Sequence, residues 1–198
     1  MKKVVLAGHL VIALFLSGCR QEPNTTERVL SRERAVEVII EGADSFPKFL
    51  VGHWNNDETG WEFVFDEDGY ISSAVLNFGR FYVEPGVISR VPMARGKVSV
   101  LEPGPWLVRY SAPENQLLIE IVIKHLQVEM GGGVIEGHSK DVFVGALYPQ
   151  VDQWQADWFR YPQYVATTGE FKDFPLHTDP NAPPTPLVFS RVTGEKSD

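Results

Sequence analysis

The chain carries one thiol, Cys19, and five histidines, residue types that could support nucleophilic, redox or metal chemistry. A single cysteine cannot form an intrachain disulfide or supply the paired thiolates of a structural zinc site. No two histidines beyond residue 20 are four residues apart, as two ligands on one helical face would be; these are His53, His125, His138 and His177. No Gly-x-Ser-x-Gly segment, which would mark a strained serine nucleophile, occurs in the sequence. We therefore expect no metal, no cofactor and no catalytic residues.

Cys19 instead follows an apolar segment at the N-terminus. The pair Lys2-Lys3 precedes an apolar run over residues 4–16, which is shorter than the roughly 20 residues of a membrane-spanning helix. Residues 16–19 read Leu-Ser-Gly-Cys and resemble the lipobox of bacterial lipoproteins. The resemblance implies that residues 1–18 are a cleaved signal peptide, that Cys19 receives a diacylglyceryl thioether, and that its new amine is acylated. Several acyl chains, at about 0.8 kcal/mol per buried methylene, would anchor the protein stably.

The residue after the cysteine bears on location. In Gram-negative lipoproteins an Asp at that position is the familiar inner-membrane retention signal, and this chain has Arg20. The resemblance thus implies a cell-envelope protein, held at the outer membrane and facing the periplasm if the source is Gram-negative. The alternative is an ordinary secretory signal followed by a chance cysteine. It is disfavoured because a lone Cys19 would then have no disulfide partner.

The net charge of the chain limits the classes of partner that it could bind. The 198 residues contain 18 Lys and Arg against 26 Asp and Glu, a net charge of −8 at pH 7. Removal of residues 1–18 removes two lysines and no acid, which leaves 16 against 26, or −10. Phosphate backbones are bound by clustered cations, so we expect no nucleic-acid partner. The membrane, reached through the N-terminal lipid, is the partner that the sequence indicates, and protein partners stay open.

Four segments follow from the polar and apolar pattern. They are the signal peptide over 1–18, a lipid-anchored tether with one short helix over 19–48, a β domain over 49–193, and a tail over 194–198. Residues 20–28 are polar without apolar periodicity and read as the tether. Residues 29–41 suit either a helix or a strand, and one helix ending at Gly42 is favoured because its first half is rich in Arg and Glu.

Short alternating apolar segments, bounded by Gly, Pro, Asp and Asn, recur from Phe49 onward. The candidate strands, some of which should merge, are 49–55, 60–66, 70–77, 79–84, 87–93, 97–101, 105–111, 117–130, 134–138, 141–148, 153–161 and 186–193. Many short strands without long intervening helices are typical of an antiparallel barrel or sandwich. The predicted fold class is all-β, an antiparallel up-and-down β-barrel.

Two local features of this region can be predicted in detail. Glu67-Asp68-Gly69 suits a three-residue hairpin loop with Gly69 left-handed, which places Phe65 opposite Ile71 and Phe63 opposite Ser73. In the strand over 117–130 the apolar register changes near Lys124-His125, which predicts a β-bulge there.

The first strand of the β domain carries Gly52-His53-Trp54, which resembles the Gly-x-Trp signature of lipocalins and their calycin relatives. In that superfamily the Trp plugs the closed end of an up-and-down barrel, and an Arg from the last strand lies across it. The resemblance implies that Gly52, Trp54 and Arg191 form the barrel closure. A β-sandwich in which Trp54 is a core residue is the alternative.

Aromatic side chains supply the remaining signal for function. Trp154 and Trp158 share one face of a strand, and Trp61 and Phe63 share one face of the predicted hairpin. Aromatic walls suit a pocket for a small hydrophobic molecule, so these four residues are the candidate ligand-binding site. The alternative is core packing, which fits a non-catalytic assembly or protein-interaction lipoprotein with a filled barrel or sandwich. An envelope enzyme is the least favoured class.

Replacement of the anchoring cysteine tests the lipobox. Cys19→Ser should block lipid attachment and leave unprocessed precursor, because the thioether must form before cleavage. The measurement is precursor mass and membrane fractionation. A variant that is processed and fractionates with membranes as the wild type does would show that residues 16–19 are not a lipobox.

Overall fold

A computed structural model of the chain describes residues 25–28, 30–77, 80–93, 96–130, 133–168, 179 and 181–192. The strands are β1 (Thr25–Arg28), β2 (Val36–Glu41), β3 (Gly52–Asn55), β4 (Glu62–Phe65), β5 (Ile71–Val75), β6 (Tyr82–Val83), β7 (Val87–Pro92), β8 (Val98–Pro103), β9 (Trp106–Ser111), β10 (Gln116–Met130), β11 (Gly133–Tyr148), β12 (Gln153–Thr168) and β13 (Thr185–Arg191). One helical turn, α1 (Arg32–Ala35), precedes β2. The predicted all-β class is confirmed.

These strands form one curled sheet in the order β1-β7-β8-β10-β11-β12-β13-β3-β4-β5-β6. β10 is long enough to have two neighbours on one side, because β9 pairs with its first half and β8 with its second. From β3 to β6 and from β10 to β13, strands that follow in the chain are neighbours in the sheet, as in an up-and-down barrel.

That order breaks between β6 and β7, where the described strands are not paired and β1 lies against β7 instead. The sheet is therefore an open half-barrel. It is also mixed rather than wholly antiparallel, because β2 pairs in parallel with β9 along its whole length, from Val36 opposite Trp106 to Glu41 opposite Ser111.

The helix predicted over 29–41 is wrong for its second half. Only Arg32–Ala35 is helical, and Val36–Glu41 is a strand. The β-branched residues of this segment restrict side-chain freedom in a helix, and the free edge of β9 offers a full ladder of hydrogen bonds. The local pattern left helix and strand open for this segment, and pairing with β9 decided for the strand.

The tether predicted over 20–28 is also too long. Thr25–Arg28 forms an antiparallel ladder with β7, in which Thr25 lies opposite Arg90 and Arg28 opposite Val87. The sheet thus begins at Thr25 rather than at Phe49. The signal peptide over 1–18, Cys19 and the tail over 194–198 lie outside the described residues.

The hairpin and the bulge form where the sequence predicts them. Gly69 is left-handed with φ +86°, and Phe65 pairs with Ile71. The predicted register is wrong beyond that pair, because Ser72 is an extra residue and Phe63 therefore lies opposite Ala74. In β10 the pairing with β11 slips between Ile123 and Leu126, as predicted at Lys124-His125.

β11 and β12 are longer than predicted, and the candidate strands 134–138 and 141–148 are one continuous strand. Pro162 is tolerated within β12 because β13 pairs only as far as Trp158, which leaves that edge of β12 without a described neighbour. Gly145 allows the neighbouring strand β12 to approach β11 closely, because a Cβ there would collide with Gln155 O and lie 2.6 Å from Ala156 Cα.

Substitution of Gly145 tests the close approach of β11 and β12. Gly145→Ala should lower the free energy of unfolding by about 1–3 kcal/mol, because the added methyl forces β11 and β12 apart. The measurement is urea denaturation. Ala146→Ser, on the opposite face of the same strand, is the control and should change the free energy by less than about 0.5 kcal/mol. Equal effects at the two positions would contradict the close approach.

Candidate functional site

The structure brings together the four aromatic residues predicted to line a ligand pocket. Trp61 precedes β4, Phe63 lies on β4, and Trp154 and Trp158 lie on β12, and all four are at most 4% exposed. Trp61 stacks on Phe63 with ring centroids 5.8 Å apart, and it meets Trp158 edge-on at 5.9 Å. Phe63 also lies 6.3 Å from Trp154, so the four rings form one connected series.

Two further rings, Phe143 of β11 and Phe189 of β13, occupy the space between them. Phe143 lies 5.0 Å from Trp61, 5.3 Å from Phe63 and 6.0 Å from Trp158. Phe189 stacks on Trp154 at 4.7 Å and meets Phe63 at 5.4 Å. We call the six residues Trp61, Phe63, Phe143, Trp154, Trp158 and Phe189 the aromatic cluster. The cluster packs across the described interior of the half-barrel.

Among the described residues, one of the three indole N–H groups in the aromatic cluster has a hydrogen-bond partner and two have none. Trp158 Nε1 donates to Asp141 Oδ1 at 2.9 Å. Trp61 Nε1 and Trp154 Nε1 are buried and have no hydrogen-bond partner among the described residues. A buried donor without a partner costs about 1–3 kcal/mol, so each of these two indoles offsets part of the stability that its ring contributes by packing.

Asp141 is a buried carboxyl at the edge of the cluster, and sequence reasoning missed it. Ser139, Asp141 and Phe143 alternate along β11 and therefore point to the interior together. Burial raises the pKa of Asp141 from 3.8 to about 6, against the lowering effects of the Trp158 hydrogen bond, the Arg160 charge and the Ser139 hydrogen bond. Asp141 and Phe143 are two residues apart in the candidate strand 141–148, and this spacing was the signal that could have placed Asp141 on the inward face.

Arg160 is the charged neighbour of this carboxyl. It pairs with Asp141 across the β11–β12 ladder, and its guanidinium carbon lies 4.5 Å from the Trp158 ring centroid. The guanidinium thus stacks on an indole that itself donates to Asp141. Tyr164 lies nearby on β12, and burial together with the Asp141 charge raises the pKa of its hydroxyl.

A narrow cleft adjoins the Asp141 carboxyl. Its lining includes Trp61, Asn77, Asp141, Arg160 and Tyr164, and its free volume is about 20 Å³. A cavity of that size holds about one water molecule. The cluster can hold a proton near neutral pH and a water beside it, but it offers no room for an organic substrate within the described residues.

The structure also brings together the three predicted closure residues. β13 pairs with β3, and Arg191 lies opposite Trp54. The Arg191 guanidinium donates to Val51 O at 2.9 Å and lies 3.6 Å from where a Cβ of Gly52 would be. Trp54 is buried and its Nε1 donates to Leu50 O at 2.9 Å. The hydrogen bond from Arg191 to Val51 O therefore links the end of β13 to the residue before β3.

The described histidines lie apart from this interior. His53 contacts Glu62 at 3.0 Å and His125 contacts Glu136 at 3.1 Å, both at the surface of the sheet. Within the described ranges, no group of three or more His, Cys, Asp or Glu side chains could hold a metal ion. No helix in that part of the chain is both long and apolar enough to cross a membrane.

Comparison with known proteins adds no relative. No family model matches the chain, and no curated protein or solved structure matches it significantly. Function is accordingly inferred from the geometry of the described residues and from the sequence motifs.

The buried carboxyl predicts a pH dependence. A folded-state pKa of about 6, against 3.8 for an unperturbed Asp, means that the folded protein holds this proton more tightly than the unfolded chain. Asp141 should therefore lower stability as pH rises from about 4 to 6, by up to about 3 kcal/mol in total. Asp141→Asn keeps an acceptor for Trp158 and removes the titration.

Urea denaturation at several pH values measures this effect. The variant and the wild type should have similar free energies of unfolding at pH 4, and the variant should be the more stable by pH 7. A difference that does not change between these pH values would contradict a raised pKa at Asp141.

Proposed function

We propose that the protein is a lipid-anchored, non-catalytic lipoprotein of the cell envelope that acts through contacts of its outer surface with other proteins. Its domain is a lipocalin-like half-barrel with a filled interior. The observation that carries the proposal is the aromatic cluster, in which the residues that would line a ligand cavity pack against one another instead.

The dimensions of the described clefts support a filled domain. Pockets for small organic ligands usually measure about 300–1,000 Å³. The interior cleft beside Asp141 measures about 20 Å³. Two clefts at the surface are larger, about 200 Å³ beside Arg32 and Asp66 and about 140 Å³ beside Arg160 and Pro183, but both lie below that range.

The anchor supports the location. Residues 16–19 resemble a lipobox, and Arg20 follows the cysteine, which favours the outer membrane if the source is Gram-negative. Cys19 is followed closely by β1, so lipidation would hold the half-barrel at a membrane surface. A domain held there, without room for an organic molecule in its described interior, suits assembly or scaffolding in the envelope better than carriage of a ligand.

The chemistry of the Asp141 site supports a non-catalytic role. Acid–base catalysis needs a substrate within hydrogen-bond reach of the titrating group. The indole of Trp158 already occupies one oxygen of Asp141, and the adjoining cleft is water-sized. The carboxyl, the guanidinium of Arg160 and the indole form a structural network.

Truncation of a cluster ring tests whether the interior is packed. Phe63→Ala should lower the free energy of unfolding by about 3–5 kcal/mol, because it opens a cavity among rings that touch Phe63 on several sides. Val64→Ala is the matched control on the opposite face of β4 and should cost less than about 1 kcal/mol. A ligand-lined wall would instead tolerate Phe63→Ala in the empty protein.

Native mass spectrometry of the mature protein, extracted in detergent, tests the competing function directly. The expected mass is that of the chain with its covalent acyl groups. A stoichiometric, non-covalent hydrophobic molecule released on unfolding would overturn the proposal and favour a ligand carrier.

A further inference from the structure

The narrow cleft beside Asp141 has the size and the lining of a site for a single water molecule. Its free volume is about 20 Å³. A buried water needs about 10–15 Å³ of such space and two to four polar partners. Five residues with polar side chains contribute to the lining, and they are Asn77, Ser139, Asp141, Arg160 and Tyr164. The cleft therefore meets both requirements.

Trp61 brings a buried hydrogen-bond donor to this cleft. Its side chain lines the cleft and is 1% exposed, and its Nε1 has no hydrogen-bond partner among the described residues. Buried N–H groups in native proteins are almost always paired, either with a protein acceptor or with an ordered water. Because no described protein atom accepts a hydrogen bond from Trp61 Nε1, solvent is the acceptor that this donor favours.

Asp141 brings a buried acceptor to the same cleft. Trp158 Nε1 donates to its Oδ1 at 2.9 Å, and Ser139 forms a second hydrogen bond with the carboxyl. Burial raises the pKa of Asp141 to about 6, so the carboxyl is mainly ionised at pH 7. An ionised carboxyl accepts at about four lone-pair positions, which leaves capacity for another donor.

Trp154 has the same kind of unpartnered donor but does not line this cleft. Its Nε1 is buried and has no partner among the described residues. The Trp154 ring packs on Phe189 with centroids 4.7 Å apart and lies 6.3 Å from Phe63. The protein thus contains a matched pair of buried indoles, and of the two only Trp61 lines the polar cleft beside Asp141.

We propose that this cleft binds one internal water molecule, which accepts a hydrogen bond from Trp61 Nε1 and donates one to the carboxyl of Asp141. The water links Trp61, which precedes β4, to Asp141 of β11, and these two strands are not neighbours in the sheet. The inference goes beyond the proposed function, because it concerns the interior of the domain and is independent of lipidation at Cys19.

Nuclear magnetic resonance of the indole N–H groups tests the water site. The mature full-length protein is isotopically labelled at tryptophan, and single Trp→Phe variants assign the indole signals. Rotating-frame cross peaks between each indole proton and water are then measured in the wild type, because their sign separates close contact from proton exchange. Trp61 should show a contact cross peak with water, and Trp154, the matched control, should show none. Any other pattern at these two indoles would overturn the site.

Substitution of Asp141 tests the second hydrogen bond of the water. Asp141→Asn keeps an acceptor oxygen and should keep the Trp61 cross peak. Asp141→Ala removes the acceptor without filling the cleft and should abolish the cross peak, whereas an unchanged cross peak in that variant would overturn the link to Asp141. The wild-type comparison of Trp61 with Trp154 needs no substitution at Asp141, so it decides the water site even if Asp141→Ala does not fold.

Discussion

Packing of six aromatic rings across the inside of a curled sheet is the contact on which the rest of the structure depends. Trp61 and Phe63 come from one wall, and Phe143, Trp154, Trp158 and Phe189 come from the other. Each such ring buries about 150–250 Å², and offset or edge-on pairs add further stabilisation. β13 joins the two walls by pairing with β3, where Arg191 donates a hydrogen bond to the Val51 carbonyl. Gly145 allows β12 to lie close to its neighbour β11.

The same packing explains the polar groups that the interior retains. Asp141 lies on the inward face of β11 because its strand phase is set by Phe143, and it is satisfied there by Trp158, Ser139 and the charge of Arg160. The raised pKa follows from that burial. The described rings pack against one another and leave a water-sized cleft beside Asp141, which is why the proposed function concerns contacts and location.

β1 is the described strand that lies nearest in the chain to Cys19, the predicted site of lipid attachment. A segment that reads as a free polar tether is paired with β7, so the chain between Cys19 and the sheet shortens to a few residues. A long flexible tether would let the half-barrel tumble above a membrane. A short one would keep the half-barrel close to a lipid attached to Cys19.

Features whose causes are local could be predicted from the amino-acid sequence. The period-2 segments, the Gly69 hairpin, the bulge near Lys124 and the facing of Trp154 and Trp158 depend on neighbours in the chain, and the structure shows each of them. Tertiary structure decided the rest. Val36–Glu41 became a strand because β9 had a free edge, and Ser72 shifted the register of β5 through a bulge that no local pattern marked. The predicted pocket residues became core because Phe143 and Phe189, far away in the chain, fill the space between them, and packing between distant segments leaves no periodic signal in a single sequence.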